Sequence, residues 1–343
     1  MTYYYETDDC KVCFNNDYNY VFNKNNGMFS RWGKTKEEDP QVSNLSAEIL
    51  DIEITDICKG PGGKPCKFCY KNNLPTNKHN MSFGVYKLIL DKMKKHLTQV
   101  AFGVNSSCES NSDIWKMMEY TRECGIIPNT TVADITEETA KKLAKYCGAV
   151  SVSRYDNKDI CYDSVKRLID AGLSQCNIHV MISEETYWTA HDTLDDVIHD
   201  ERLKGLNAVV MLSLKQKGRG IGYHPLAQDR FDSLVNYALL NAIPIGFDSC
   251  GARKFLHTIK DRLDFKDLNL MVEPCESSLF SSYINVFGDF FPCSFAEGTE
   301  DWIEGLPINE DTDFLNDIWL HPSTESFRKR LLKCNRDCPI YKV

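Results

Sequence analysis

Between residues 47 and 250 the chain switches repeatedly between a two-residue and a 3.6-residue hydrophobic rhythm. The run AEILDIEIT alternates apolar and polar side chains from Ala47 to Thr55, as a strand does. SFGVYKLILDKMKKH follows with helical spacing, and Ser82 is placed to cap it. TQVAFGV then reads as a strand, SDIWKMMEYTREC as a helix and IIPNTTVA as a strand. Asp134 with Glu137 frames a capping box for a helix running to Tyr146. GAVSVS, CNIHVMI, NAVVMLSL and IPIGFDS are further apolar strands, each set off by a helical stretch. Such alternation predicts a parallel sheet, open or curled into a barrel, with chemistry at the C-terminal ends of its strands. Two hairpins flank it. YNYVFNKNNGMFSRWG alternates around Asn26-Gly27, and YINVFGDFFP turns at Gly288-Asp289.

Composition narrows the class. The 343 residues are 42% hydrophobic and 26% charged, as in a globular protein with a sizeable core. The net charge of −9 does not favour a nucleic-acid partner held through phosphates. The start, MTYYYETDDC, lacks a basic region followed by an apolar stretch, so no signal peptide is expected. No apolar run is long enough to span a membrane, and the expected location is the cytoplasm.

Fifteen cysteines change the picture. Cys124, Cys147, Cys161 and Cys176 fall in apolar-periodic segments and read as small buried hydrophobes. Cys10 and Cys13 form a lone C-x2-C without a second pair, a redox or surface feature and not a metal site. The rest cluster, and clustering points to metal. In EITDICKGPGGKPCKFCYKNN, Cys58, Cys66 and Cys69 sit just beyond the first strand. Three thiolates bind three irons of a [4Fe–4S] cube and leave the fourth iron open. Gly60, Gly62 and Gly63 let the loop wrap closely, while Lys59, Lys64 and Lys67 offset anionic charge. A zinc site, which wants four tetrahedral ligands and would have to recruit a residue such as His79, is the alternative.

With Phe68 immediately before its last cysteine, this loop resembles that of the radical S-adenosylmethionine superfamily, here as C-x7-C-x2-C where C-x3-C-x2-C is commonest. The resemblance implies that the open iron chelates S-adenosylmethionine. Reductive cleavage then gives a 5′-deoxyadenosyl radical that takes a hydrogen atom from substrate. It also implies cofactor contacts from FGVNSSCESN, through Gly103, Asn105 and Ser106, from Ser153 and Arg154 after the fourth strand, and from Arg219 in LKQKGRG. Near the C-terminus, Cys275, Cys293, Cys334 and Cys338 include a C-x12-G-x4-C order, with DIW at Asp317–Trp319. That order resembles the SPASM and twitch domains that follow radical cores, and it implies one auxiliary iron–sulfur cluster, probed against a structural zinc as the alternative.

The expected fold is therefore α/β, a partial (β/α)6 TIM-like barrel over 46–255. A hairpin-bearing extension precedes it over 1–45, and a small twitch/SPASM-like cluster domain follows over 256–343. The extension either recognises a peptide by strand pairing or covers one end of the barrel. The expected substrate is a peptide or protein side chain, oxidised, crosslinked or epimerised. A small alcohol such as an aminocyclitol is the alternative, and a zinc-stapled binding protein the alternative of another class. An external donor such as flavodoxin or ferredoxin is expected to supply electrons. Net oxidation needs a base, and epimerisation a thiol, at the barrel mouth. The candidates there are Glu109, Cys108, Asp248 and Cys250.

Overall fold

A computed structural model describes residues 2–270 and 272–343. It opens on four short strands, β1 (Tyr3–Glu6), β2 (Cys10–Phe14), β3 (Asn19–Asn23) and β4 (Phe29–Trp32), paired in sequence order as an antiparallel meander. The expected hairpin is β3–β4, with Gly27 at φ +74° in its turn. β1 and β2 add to it. Cys10 and Cys13 lie three apart on β2, so they face opposite sides, and Cys13 is buried in the core.

The alternating segment follows the expected order: β5 (Ile49–Ile52), α1 (Phe83–Met93), β6 (Gln99–Phe102), α2 (Ile114–Glu123), β7 (Ile127–Val132), α3 (Glu137–Tyr146) and β8 (Ala149–Arg154). Next come α4 (Lys158–Asp170), β9 (Gln175–Ile182), α5 (Tyr187–His199), β10 (Ala208–Ser213), α6 (Gln228–Leu240) and β11 (Ile245–Phe247). Strands β5 to β11 are parallel neighbours in sequence order. Ser82 caps α1 by accepting from the Val85 amide. For α3 the cap is Thr136, not Asp134, because the Thr136 hydroxyl accepts from the Thr139 amide.

Two helices, α7 (Ala252–Ile259) and α8 (Phe265–Asn269), lead to β12 (Ser281–Ile284), β13 (Asp289–Phe291), β14 (Leu306–Pro307) and α9 (Pro322–Lys333). Strand β12 pairs in parallel with β5, so the C-terminal hairpin extends the barrel sheet to ten strands and lies against the strand that precedes Cys58.

The N-terminal sheet seats under the barrel, at the N-terminal ends of its strands. Lys11, buried, donates to the Lys94 and Leu97 carbonyls at 2.9 and 2.5 Å, in the turn between α1 and β6. Tyr20 donates to the His96 carbonyl, 3.2 Å away. Arg31 joins the three regions. Its guanidinium lies 3.6 Å from the centre of the Phe280 ring and reaches Glu48 at 3.1 Å and Glu276 at 3.0 Å. Burial, and then the neighbouring carboxylates, hold the Glu48 and Glu276 carboxyls above their usual range.

Arg31→Met is therefore expected to cost about 3 kcal/mol, since it strands the buried Glu48 carboxylate and the half-buried Glu276. A carboxyl raised in the folded state favours the fold at low pH and disfavours it as pH climbs through the raised value. The deficit against wild type should thus grow from about pH 5 to about pH 8. Urea midpoints at the two pH values check this, and a deficit that shrinks with pH would contradict it.

Candidate metal centre and active site

The chain leaves β5 through Thr55 and enters the three-cysteine loop. Gly60 has φ +67°, and a Cβ there would lie 2.0 Å from the Lys64 carbonyl oxygen, so only glycine permits this turn. Asn105, buried beyond β6, ties the loop entrance down: its amide donates to the Thr55 and Ile57 carbonyls, each at 3.0 Å. Arg219 clasps the far side, donating to the Cys66 carbonyl at 3.1 Å and the Asn73 carbonyl at 3.1 Å. Beside it Gly218, at φ +57°, passes so close that a Cβ would meet the Cys69 and Tyr70 carbonyl oxygens at 2.6 and 2.5 Å.

So held, Cys58, Cys66 and Cys69 ring one end of a cavity of about 380 Å³ at the C-terminal ends of the strands. Cys69 is held down, to about 6, by the hydrogen bond from Cys66, against burial, and further by the Asn73 and Lys71 amides. The thiolate, the form of cysteine that can bind a metal, is thus favoured at one thiol of the three.

Gly103, Asn105, Ser106 and Ser153 all line this cavity. Arg154 does not. Ser153 faces inward, so its strand neighbour faces the helices, and the Arg154 guanidinium lies 5.8 Å from the Tyr162 ring on α4. Arg219 holds the loop through carbonyls and is not in the lining either. Cys108 and Glu109 sit in a separate pocket of about 260 Å³ behind Lys59 and Gly63. There Glu109 accepts from the Thr139 hydroxyl at 3.0 Å, and burial pushes the Cys108 thiol up to about 11. The turn that places Asn105 and Ser106 at the cavity carries residues 108 and 109 past it.

The interior also contains groups that motif spacing does not mark. Asp51 on β5 and His179 on β9 face inward on the polar phase of their strands. Burial lowers His179 to about 4, leaving a neutral imidazole. Burial, with Glu276 second, raises Asp51 to about 6, and no hydrogen bond among the described residues offsets that rise. Tyr155 packs its ring 5.8 Å from Phe68, beside the thiols. Strand alternation was the available signal for Asp51 and His179.

A second set of thiols surrounds a cavity of about 190 Å³, and its membership departs from the expectation. Cys275, Cys293 and Cys338 are there with Cys250, from the turn after β11, in the fourth place. Cys334 ends α9 and turns away, its thiol donating to the Leu331 carbonyl at 3.3 Å and the Asp337 carbonyl at 3.1 Å. Burial raises the Cys250, Cys275 and Cys293 thiols, Cys293 to about 11, so a metal bound here would have to displace protons. Among the described residues no three His, Cys, Asp or Glu side chains close on a cage for a single ion. A cube takes one thiolate per iron, so its ligands ring a volume, as both sets do.

The two cavities share a wall of Asp51, Lys215, Asp248, Ser294 and Phe295. Tyr70, next to Cys69, donates to the Ser294 hydroxyl at 3.0 Å, and its ring centre is 4.2 Å from that of Phe295. One residue beyond each thiol, the two sets are therefore already in contact.

No family model and no curated protein matches the sequence. Solved structures do. The crystal structure of Streptococcus suis SuiB bound to precursor peptide SuiA is 14% identical, with a TM-score of 0.71 over 95% of this chain and 90% of that one. SuiB bound to S-adenosylmethionine is 17% identical, with a TM-score of 0.59 over 82% of this chain and 66% of that one. The chain shares the SuiB fold, a mixed α/β architecture built on a large parallel sheet. This is the fold that the radical S-adenosylmethionine resemblance implied.

Among the described residues, no helix is long and apolar enough to cross a membrane.

Proposed function

We propose that this chain is a radical S-adenosylmethionine enzyme that oxidises a peptide substrate. The observation that carries the reading is the ring of Cys58, Cys66 and Cys69 at the barrel mouth, opening on a cavity that shares a wall with a second cavity lined by four further thiols. When bound, a [4Fe–4S] cluster on the first set supplies the electron that cleaves S-adenosylmethionine to a hydrogen-abstracting 5′-deoxyadenosyl radical, and an auxiliary cluster on the second set accepts an electron.

The chain's own groups do the rest. Asn105 and Arg219 fix the loop that carries the first three ligands. Ser106 and Ser153 offer hydroxyls to the cofactor inside the cavity, and Gly103 leaves room for it. Net oxidation removes two hydrogens from the substrate, one as an atom and one as an electron plus a proton. Asp51, which has no hydrogen-bond or ion-pair partner among the described residues and stands in the shared wall, is positioned to take that proton. A peptide substrate is supported by the likeness to the peptide-bound form of SuiB. An external carrier of the flavodoxin or ferredoxin type would supply the electron.

The test is anaerobic. Wild-type protein with dithionite and S-adenosylmethionine should release 5′-deoxyadenosine, slowly even without substrate, and Cys66→Ser should not. Two zincs in place of iron, or equal release from both proteins, would sink the reading.

A further inference from the structure

The segment that leaves Cys293 is gripped by two lysines, one from each of the loops that frame the first thiol set. Ser294 and Phe295 begin it and stand in the wall shared by the two cavities, and Glu297 follows. Lys71, two residues beyond Cys69, reaches across to it with a side chain that is 10% exposed. A lysine carries three donors, and this one uses them all. It pairs with Glu297 and with Glu53, the latter at 2.9 Å, and donates to the Tyr283 hydroxyl at 2.9 Å. Glu53 also accepts from the Tyr283 hydroxyl at 2.9 Å and the Asn73 amide at 2.8 Å, and Glu297 from the Asn285 amide at 3.2 Å.

From the other side Lys217 donates to the Ser294, Phe295 and Glu297 carbonyls at 3.4, 3.2 and 2.5 Å. Lys217 precedes Gly218 and Arg219, which pack on and clasp the stretch from Cys66 to Asn73, and the Arg219 amide donates to the Cys69 carbonyl at 3.0 Å. A closed circuit of contacts therefore runs from the Cys69 loop through Lys71 to the segment after Cys293, on through Lys217 to Arg219, and back to Cys69. Removing one member of a buried charged network leaves its partner uncompensated, so loop and segment hold their places together or lose them together.

We propose that Lys71 and Lys217 are positioning residues that lock residues 294–297 to the Cys69 loop, so that metal on the second thiol set steadies metal on the first. The proposal rests on the cluster assignment made above. It moves no electron and no proton.

The test uses full-length protein with both sets reconstituted, and its iron count is taken first. Thiols bound to iron resist iodoacetamide, so alkylation during an anaerobic chelator challenge, read at Cys66 by peptide mapping, follows the first set by itself. Emptying the second set by Cys250→Ala with Cys275→Ala should speed Cys66 alkylation about tenfold, the size of an ordinary coupling between sites. In a Lys71→Met background the same emptying should change the rate less than about twofold. Lys217→Met should behave alike, and because it strands only carbonyls it serves where Lys71→Met does not fold. Lys11→Met, which loosens the opposite end of the barrel, should keep the full response. A Cys66 rate indifferent to the second set, a response that survives both lysine changes, or one that Lys11→Met abolishes as well would overturn the proposal. A wild type with iron only at the first set would overturn the cluster assignment and this proposal together, and the iron count reports that before any rate is measured.

Discussion

Replacing Cys250 by alanine should release about half of the iron, from about eight per chain to about four, while Cys334→Ala should leave the full complement. Cys250 shares the 190 Å³ cavity with Cys275, Cys293 and Cys338. Cys334 spends its thiol on two carbonyls at the end of α9. Its loss should cost about 1 kcal/mol of stability, the worth of a capping hydrogen bond, and no iron. Where three remaining ligands retain iron loosely, Cys250→Ala with Cys275→Ala should complete the loss. S-adenosylmethionine cleavage should survive in every one of these proteins, because the first set is untouched, and product should disappear with the second iron. Iron analysis with 5′-deoxyadenosine release reads both. A Cys334→Ala protein that loses four irons while Cys250→Ala keeps eight would restore the ligand set read from spacing.

That exchange of ligands shows where the sequence was legible. Alternation in AEILDIEIT or CNIHVMI reports which phase of a strand faces the helices, because burying the other phase would strand its polar groups. The seven core strands were therefore readable. The meeting of Cys58, Cys66 and Cys69 at one cavity was readable too, since they lie within one loop and spacing nearly equals geometry. The second set is assembled from four separated turns. Cys334 lies only four residues from Cys338, a separation that mimics a ligand pair, while Cys250 lies twenty-five before Cys275 on a different part of the sheet. The pairing of β12 with β5, and the ties of Arg336 to the Cys275 carbonyl and of Arg253 to Asp337, bring those turns together, and β12 contains no mark of its partner. Arg154 failed for the opposite reason. Its type suited a carboxylate, but the phase of β8 had already given the inward place to Ser153. The N-terminal sheet was half seen, because β1 and β2 have no turn as strong as Asn26-Gly27.

Asp51→Asn should abolish product while leaving S-adenosylmethionine cleavage intact, and it should also stabilise the fold. Asp51 faces both cavities, and its carboxyl is raised to about 6 by burial and by Glu276. A general base must be ionised to act, so product formed per S-adenosylmethionine cleaved should fall as pH drops through about 6. Loss of the base should lower product formation by about 10²–10⁴. The stability effect has the sign set by linkage. A carboxyl raised in the folded state contributes least to stability above its folded value, so the wild type carries a penalty above about pH 6 that an uncharged side chain avoids. Asp51→Asn should accordingly gain about 3 kcal/mol at about pH 8 and about half of that at about pH 5, by the worth of a pKa unit. A residue kept only for structure would show the reverse, destabilising the protein when replaced. Urea denaturation at the two pH values, beside chromatography of 5′-deoxyadenosine and product, separates the cases: loss of stability together with undiminished product would remove Asp51 from the reaction.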